Sequence, residues 1–336
     1  MTESGRWRKV DEALNFLSGL RTLLGVGPER LVVVPGNHDV SKPACHAYFL
    51  NDGRLSLFNL DADLYERHIN VESAPIWAAA FDPTGDYVAT ANDDDTVIIW
   101  VRTTGALHAV CAENRGRVRS IAFSADGALM ATGCDDSVVR LWDVRSGRFL
   151  RALRGHRDRV YSVAFHEDRL ASVSWDTTAR IWDVESGDAL HTLTRHTGRL
   201  WTAAVDSHTG TLATGGDDLV VRLWDMASGR HLHTLEGHKR RVWSLSFDPS
   251  GKLLASGGDD GNILLWSRPE DGAPSIRAIL LGLPEGWAAL APDGRYKFEG
   301  NIAGQFWHVI GMSRFESGEL DPYLPEVGQL AADAPF

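Results

Sequence analysis

Cysteine is scarce in this chain of 336 residues: there are three, Cys45, Cys111 and Cys134, an odd number with no C-x-x-C spacing. That excludes a disulfide framework and a cysteine-built zinc site, and leaves buried thiols as the expectation. Long apolar runs are missing too. No stretch reaches the roughly 18 residues that would predict a membrane-spanning helix, and the first residues, Met1 to Trp7, lack a basic segment followed by an apolar one. A cytoplasmic location is therefore expected. Positive charge is in deficit, with 34 Lys and Arg against 45 Asp and Glu, a formal net charge of -11. A surface of that sign repels nucleic acid and anionic membrane unless positive charge is clustered locally, so neither is expected as a partner. P-loop, G-x-S-x-G and H-E-x-x-H patterns are also absent, which removes the usual motif-borne routes to catalysis.

Tryptophan and glycine, by contrast, are abundant, at 12 and 33 residues. Five tryptophans end apolar alternating runs: Trp100, Trp142, Trp182, Trp224 and Trp266, separated by 42, 40, 42 and 42 positions. Stepping back 42 from Trp100 reaches Phe58, and stepping forward 41 from Trp266 reaches Trp307, so seven related positions run along the chain. Each unit contains four runs of period two, separated by turn residues such as D-G, S-G, D-D and G-H. Such a unit cannot stand alone, because its two faces stay wet until neighbouring sheets cover them.

The unit resembles the WD40 repeat: Gly155-His156 and Gly237-His238 open units, and Trp followed by Asp at 143, 183 and 225 closes the third run. The resemblance implies an all-β fold, a seven-bladed β-propeller, with six blades as the alternative. It also implies a structural tetrad of His, Ser or Thr, Asp and Trp in each blade. Complete sets are His156, Ser172, Asp176 and Trp182; His196, Thr214, Asp218 and Trp224; and His238, Ser256, Asp260 and Trp266. Two units keep only Thr90, Asp94, Trp100 and Thr132, Asp136, Trp142, while the end units degrade to Tyr48, Asp52, Phe58 and Lys297, Asn301, Trp307.

Ahead of the repeats, residues 10 to 24 carry apolar residues at helical spacing, and Leu31 to Pro35 reads as a buried strand. Gly36-Asn37-His38-Asp39 follows. Helix, strand and G-N-H-D together resemble the calcineurin-like metallophosphoesterases, which would make Asn37 a metal ligand and His38, held by Asp39, a stabiliser of the leaving oxygen. The two-metal chemistry of that family needs further carboxylate and His ligands, and the expected D-x-H and G-D-x-x-D patterns do not occur in residues 1 to 35. Residues 1–44 are therefore expected to be a truncated phosphoesterase-like segment, 45–320 the propeller and 321–336 a loosely held tail, an arrangement that resembles bacterial fusions of the two families. Leu31 to Pro35 is expected to serve as the inner strand of the first blade. No metal and no cofactor is expected.

Trp77, Arg119, Tyr161, Trp201 and Trp243 each stand four residues before the end of the first run of a unit. In WD40 propellers this position lies near the mouth of the central channel. The loops leading into the blades add Arg117, Arg157, Arg159, Arg199, Arg240 and Arg241, and Trp175 replaces the turn residue that is Asp93, Asp135, Asp217 or Asp259 in sister units. Large side chains plugging a channel would explain part of this set. Trp, Tyr and Arg on one face are also the types enriched in binding hot spots. The expectation is a non-catalytic scaffold that binds a partner protein or peptide through Trp77, Arg119, Tyr161, Trp175, Trp201, Trp243, Arg159, Arg199 and Arg241. A metal-dependent phosphoesterase using Asn37, His38 and Asp39 is the alternative.

Overall fold

The computed structural model describes residues 39–42, 45–50, 54–59, 64–70, 75–269, 272–283, 286–300, 307–310, 313–316 and 329–331. The helix expected at 10–24, the strand expected at 31–35, and Asn37 and His38 lie outside them. Among the described residues every regular element is a β-strand. The first unit consists of β1 (Asp39–Lys42), β2 (Cys45–Leu50), β3 (Arg54–Asn59) and β4 (Leu64–Asn70). The second is β5 (Ile76–Phe81), β6 (Tyr87–Asn92), β7 (Val97–Val101) and β8 (Leu107–Cys111). The third is β9 (Val118–Phe123), β10 (Leu129–Cys134), β11 (Val139–Asp143) and β12 (Phe149–Leu153). The fourth is β13 (Val160–His166), β14 (Arg169–Ser174), β15 (Ala179–Asp183) and β16 (Ala189–Leu193), and the fifth β17 (Leu200–Asp206), β18 (Thr211–Gly216), β19 (Val220–Asp225) and β20 (His231–Glu236). Each is a four-stranded antiparallel sheet in chain order, the arrangement of a WD40 propeller blade.

The inner strands β1, β5, β9, β13 and β17 pack side by side, followed by β21 (Val242–Phe247) of a sixth unit. Alternation along each strand sends one set of side chains to the preceding unit and the other to the next. On β10, Met130 joins a cluster with Ala89, Val97 and Ile99 of the second unit, whereas its neighbour Ala131 joins Val160, Val163 and Trp182 of the fourth. The third-strand tryptophans Trp142, Trp182, Trp224 and Trp266 are all buried between sheets in this way. Hydroxyls tie the inner strands as well, since the backbone N–H of Val163 donates to Ser120 Oγ at 3.1 Å and that of Ala203 to Ser162 Oγ at 3.3 Å.

Both ends depart from the sequence reading. The inner strand of the first unit is β1, not Leu31 to Pro35, and it pairs with β2 from Asp39↔Tyr48 to Lys42↔Cys45. A domain boundary between 44 and 45 would cut this hairpin. Asp39, the last residue of G-N-H-D, thus belongs to the backbone ladder of the first sheet, because β2 needs a partner on its inner edge and the nearest upstream segment supplies it. In the sixth unit, β22 (Leu253–Gly258) and β23 (Asn262–Ser267) are followed by β24 (Ser275–Leu283), which runs nine residues and pairs on its far side with β25 (Gly286–Leu290) and through it with β26 (Tyr296–Gly300). β26, which carries Lys297 of the last expected unit, and β25 therefore extend the sixth sheet to six strands. Only two residues separate β24 from β25, enough for a hairpin turn and too few to carry the chain back to the inner edge. The hairpin of β27 (Trp307–Ile310) and β28 (Ser313–Glu316) forms a separate two-stranded sheet. In the segment expected to be a loose tail, Gln329 bridges Tyr296 and the Leu330 N–H donates to the Tyr296 carbonyl at 2.8 Å.

One turn recurs under strain. The residue after the tetrad aspartate is left-handed in five units: Asp95 (φ 65°), Ser137 (67°), Thr177 (71°), Leu219 (68°) and Gly261 (77°). That conformation lets the preceding carboxylate cap the N–H two residues on, as Asp176 does for Thr178 at 2.9 Å and Asp260 for Asn262 at 3.1 Å. Only the last unit uses glycine, for which the conformation carries no Cβ penalty. Leu219, exposed on its turn, carries that penalty. Leu219→Gly is expected to raise stability by about 1 kcal/mol, read as a higher urea midpoint at unchanged slope. A lower midpoint would show that the turn is not strained.

Candidate functional site

Two constellations are built from the expected residues, one inside the blades and one on a face. Inside, Trp182 Nε1 donates to Ser172 Oγ at 2.8 Å, Ser172 Oγ lies 2.7 Å from His156 Nε2, and His156 Nδ1 lies 3.0 Å from Asp176. The fifth unit repeats this with Trp224, Thr214, His196 and Asp218 at 2.9, 2.7 and 2.9 Å, and the sixth with Trp266, Ser256, His238 and Asp260 at 2.8, 2.8 and 3.0 Å. An indole N–H only donates and a carboxylate only accepts, so the direction of each chain follows. The hydroxyl donates to Nε2, and Nδ1–H donates to the aspartate.

The incomplete units show what replaces the histidine. In the third, Trp142 Nε1 donates to Thr132 at 3.0 Å, and the Thr132 hydroxyl donates to Asn114 Oδ1 at 3.2 Å. Asn114 is buried and stands 42 residues before His156, so the repeat register could have found it; the search for a histidine passed it over. Asp136, deprived of an imidazole, is held by Arg140 through two hydrogen bonds of 3.1 and 2.6 Å. In the second unit Trp100 Nε1 donates to Thr90 at 3.0 Å.

Burial, and secondarily the nearby Arg180 and Arg222, holds His156 and His196 below the ordinary histidine value of 6.5 despite their carboxylate partners. Burial is the largest influence on Asp176 and Asp218 and works against their ionisation, but the hydrogen bonds and charges of His156 and Thr178 around Asp176, and of His196 and Arg222 around Asp218, together outweigh it and hold both carboxyls below the usual range. All four groups have the same sign: the unfolded chain binds more protons, so stability rises with pH through each window. The histidine contribution is fully present above about 6.5 and is lost as pH falls toward the depressed folded value; the aspartate contribution is lost at more acid pH. The melting temperature is expected to drop as pH is lowered from 7.5 to 5.5. His196→Asn, which copies the amide of Asn114, should flatten part of that drop, and an unchanged slope would mean that His196 does not titrate on unfolding.

The second constellation owes its position to a backbone irregularity. In the pairing of β5 with β6, Ile76 opposes Asn92 and Ala78 opposes Ala91, so Trp77 is left out of the ladder as a β-bulge. The same shift removes Arg119, Tyr161, Trp201 and Trp243 from their ladders. A bulge re-aims the extra side chain, here toward the turn that follows the second strand. Trp77 Nε1 donates to Asp93 at 2.8 Å, Arg119 makes two hydrogen bonds to Asp135 at 2.8 and 2.7 Å, Trp201 Nε1 donates to Asp217 at 2.7 Å, and Trp243 Nε1 donates to Asp259. In the fourth unit the turn residue is Trp175, and Tyr161 stacks on it with ring centres 5.5 Å apart and planes 10° from parallel.

Neighbouring units are joined into one arc. Arg119 lies 5.3 Å from the Trp77 ring and 5.6 Å from Tyr161; Tyr161 and Trp175 pack against Trp201 at 4.5 and 4.9 Å, and Trp201 against Trp243 at 4.4 Å. Arginines edge the arc: Arg117 on Trp77 at 4.4 Å, Arg159 and Arg199 on Trp175 at 4.7 and 4.6 Å, and Arg241 on Trp201 at 4.6 Å. The expected partner-binding residues thus come together but do not all face solvent. Trp201 is only 7 % exposed, sealed by three aromatic neighbours and Arg241, and it supports the arc from within instead of offering contact area. The Arg119 guanidinium is already engaged by Asp135. Trp77, Tyr161, Trp175 and Trp243 are half-buried, Arg159 and Arg241 likewise, and Arg199 is exposed.

Among the described residues no group of three or more His, Cys, Asp or Glu is placed to hold a metal ion. The aspartate pairs of the turns are accounted for by the tetrads and the arc.

Comparison with known families matches residues 187–225 and 229–267 to the WD domain, G-beta repeat, and residues 79–168 to the Anaphase-promoting complex subunit 4 WD40 domain. Each of the first two matches opens just before an outer strand, β16 or β20, and closes at the third strand of the next sheet, so a sequence repeat straddles two sheets. No curated protein matches the chain. The matches support the WD40 repeat family, whose domains generally mediate protein–protein interactions and are typically non-enzymatic scaffolds.

Proposed function

We propose that the protein is a non-catalytic scaffold, a propeller of at least six blades that binds a partner protein or peptide across the arc from Trp77 to Trp243. The observation that carries this reading is the bulge repeated at the same position of five inner strands. Each bulge turns a large aromatic or arginine side chain out of the ladder toward one face, where half-buried rings and arginines form a continuous surface. A channel filled only for packing needs no such fringe of exposed cations, whereas half-desolvated Trp, Tyr and Arg side chains supply contact area to a partner at low entropic cost. The phosphoesterase alternative has no support in the family matches.

On this reading Trp243 and Arg241 are anchors and Trp201 is their support. Trp201→Ala opens a cavity and is expected to cost about 3 to 5 kcal/mol of stability. Trp243→Ala and Arg241→Glu are expected to leave melting close to native while lowering partner affinity at least tenfold, about 1.4 kcal/mol or more. Thermal unfolding together with quantitative capture of partners from the source cell checks both. An unchanged partner set with Trp243→Ala and Arg241→Glu combined would overturn the reading.

A further inference from the structure

Four units place a carboxylate in the turn after the second strand, at Asp93, Asp135, Asp217 and Asp259; the fourth unit places Trp175 there. The equivalence is set by the backbone. Asp135, Trp175, Asp217 and Asp259 each donate their N–H to the carbonyl of an arginine that leads into the inner strand of the same unit: Arg117, Arg159, Arg199 and Arg241, at 2.9, 3.0, 2.9 and 2.9 Å. Those four arginines are therefore equivalent too. Three of them reach back to the turn carboxylate of the preceding unit: Arg117 to Asp93 at 3.2 Å, Arg159 to Asp135 at 3.9 Å and Arg241 to Asp217 at 2.7 Å. Arg199 reaches back to Trp175. It stacks on the ring, is exposed, and has no carboxylate partner among the described residues.

The surroundings do not make up the missing charge. Asp135, the carboxylate nearest Arg159, is already bound by Arg119 through two hydrogen bonds, and Asp176 is held by His156 and by the Arg157 N–H. Asp158 caps the backbone N–H of Arg159. The indole N–H of Trp175 is buried without an acceptor. An unpaired guanidinium and an unaccepted N–H thus meet where the sister units supply a carboxylate.

We propose that the partner supplies it: an Asp or Glu side chain of an acidic segment binds between Arg199 and Arg159 at the edge of Trp175, taking the place that Asp93, Asp135 and Asp217 hold toward their arginines. This rests on the interaction-face reading above and adds the chemistry of the bound group. Arginine forks match carboxylates in two-point hydrogen bonds, and the Trp175 ring shields one side of the pair from water. On a protein with a formal net charge of -11 such a sector is a local exception, so recognition is short-ranged and weakens with salt.

The test uses the full chain and an array of short immobilised peptides, each carrying one Asp or Glu in a neutral sequence beside its Asn or Gln counterpart. Carboxylate peptides are expected to bind at least tenfold more tightly than their amide counterparts, and Arg199→Gln to remove that preference. Trp175→Asp restores the internal carboxylate, so it is expected to fold like the sister units and lose the preference as well. Should Trp175→Asp fold poorly, Tyr161→Arg with Trp175→Asp copies the Arg119–Asp135 pair and gives the same readout. Equal binding of carboxylate and amide peptides, or a preference that survives Trp175→Asp, overturns the proposal. If peptides bind without regard to the carboxylate and are lost with Arg241→Glu, the interaction face stands and this inference fails; if no peptide binds, both fall.

Discussion

The structure depends on one constraint: a four-stranded sheet with apolar side chains on both faces has to be covered on both sides. Period-two alternation puts Met130 against one neighbour and Ala131 against the other, so the third unit shares its core with the units on both sides. From the first unit to the sixth, clusters lie between adjacent units, and Trp142, Trp182, Trp224 and Trp266 are buried in those interfaces. Repetition along the chain is thus a thermodynamic requirement of the unit, and the inner strands lie side by side as a result.

Burying a tryptophan between sheets brings its indole N–H into the interior, where an unpaired donor is costly. The chain of hydroxyl, imidazole and carboxylate resolves this by passing the hydrogen bond outward to a turn that can hold a charge. The third unit shows that the requirement is for an acceptor and not for histidine as such, since Asn114 accepts from Thr132 and Arg140 takes over Asp136. The left-handed residue after each aspartate belongs to the same arrangement, because it orients the carboxylate.

A single device serves the face. Each bulge costs one ladder position and turns one side chain toward the turn after the second strand, where Trp77, Arg119, Trp201 and Trp243 meet a carboxylate and Tyr161 meets Trp175, so the residues that line the face are held by the same turns that anchor the blade interior. Adjacent residues of a turn then have opposite duties: Asp218 looks inward to His196, while Asp217 accepts from Trp201 and pairs with Arg241. Substituting Trp175 for an aspartate changes the outward duty alone, since Asp176 still closes its tetrad.

The repeat, the all-β class and the interior residues were legible in the sequence because they follow from local rules: tryptophans every 40 to 42 residues, alternation of period two, and polar residues at constant offsets from each tryptophan. Asn114 was equally legible by register. The bulges were not, because a residue left out of a ladder keeps the same neighbours in the chain and only the pairing strand reveals the shift. The same holds for the burial of Trp201, whose three aromatic neighbours come from the units on either side of its own, and for the pairing of Arg117 and Arg241 with carboxylates of the preceding sheet. At the ends, the choice of Asp39–Lys42 as first inner strand and the extension of the sixth sheet by β25 and β26 were decided by which exposed edge a segment could reach. Local pattern specified the unit, and only the tertiary arrangement decided which side chains of successive units meet, because those meetings span one full repeat and are set by the stacking of sheets.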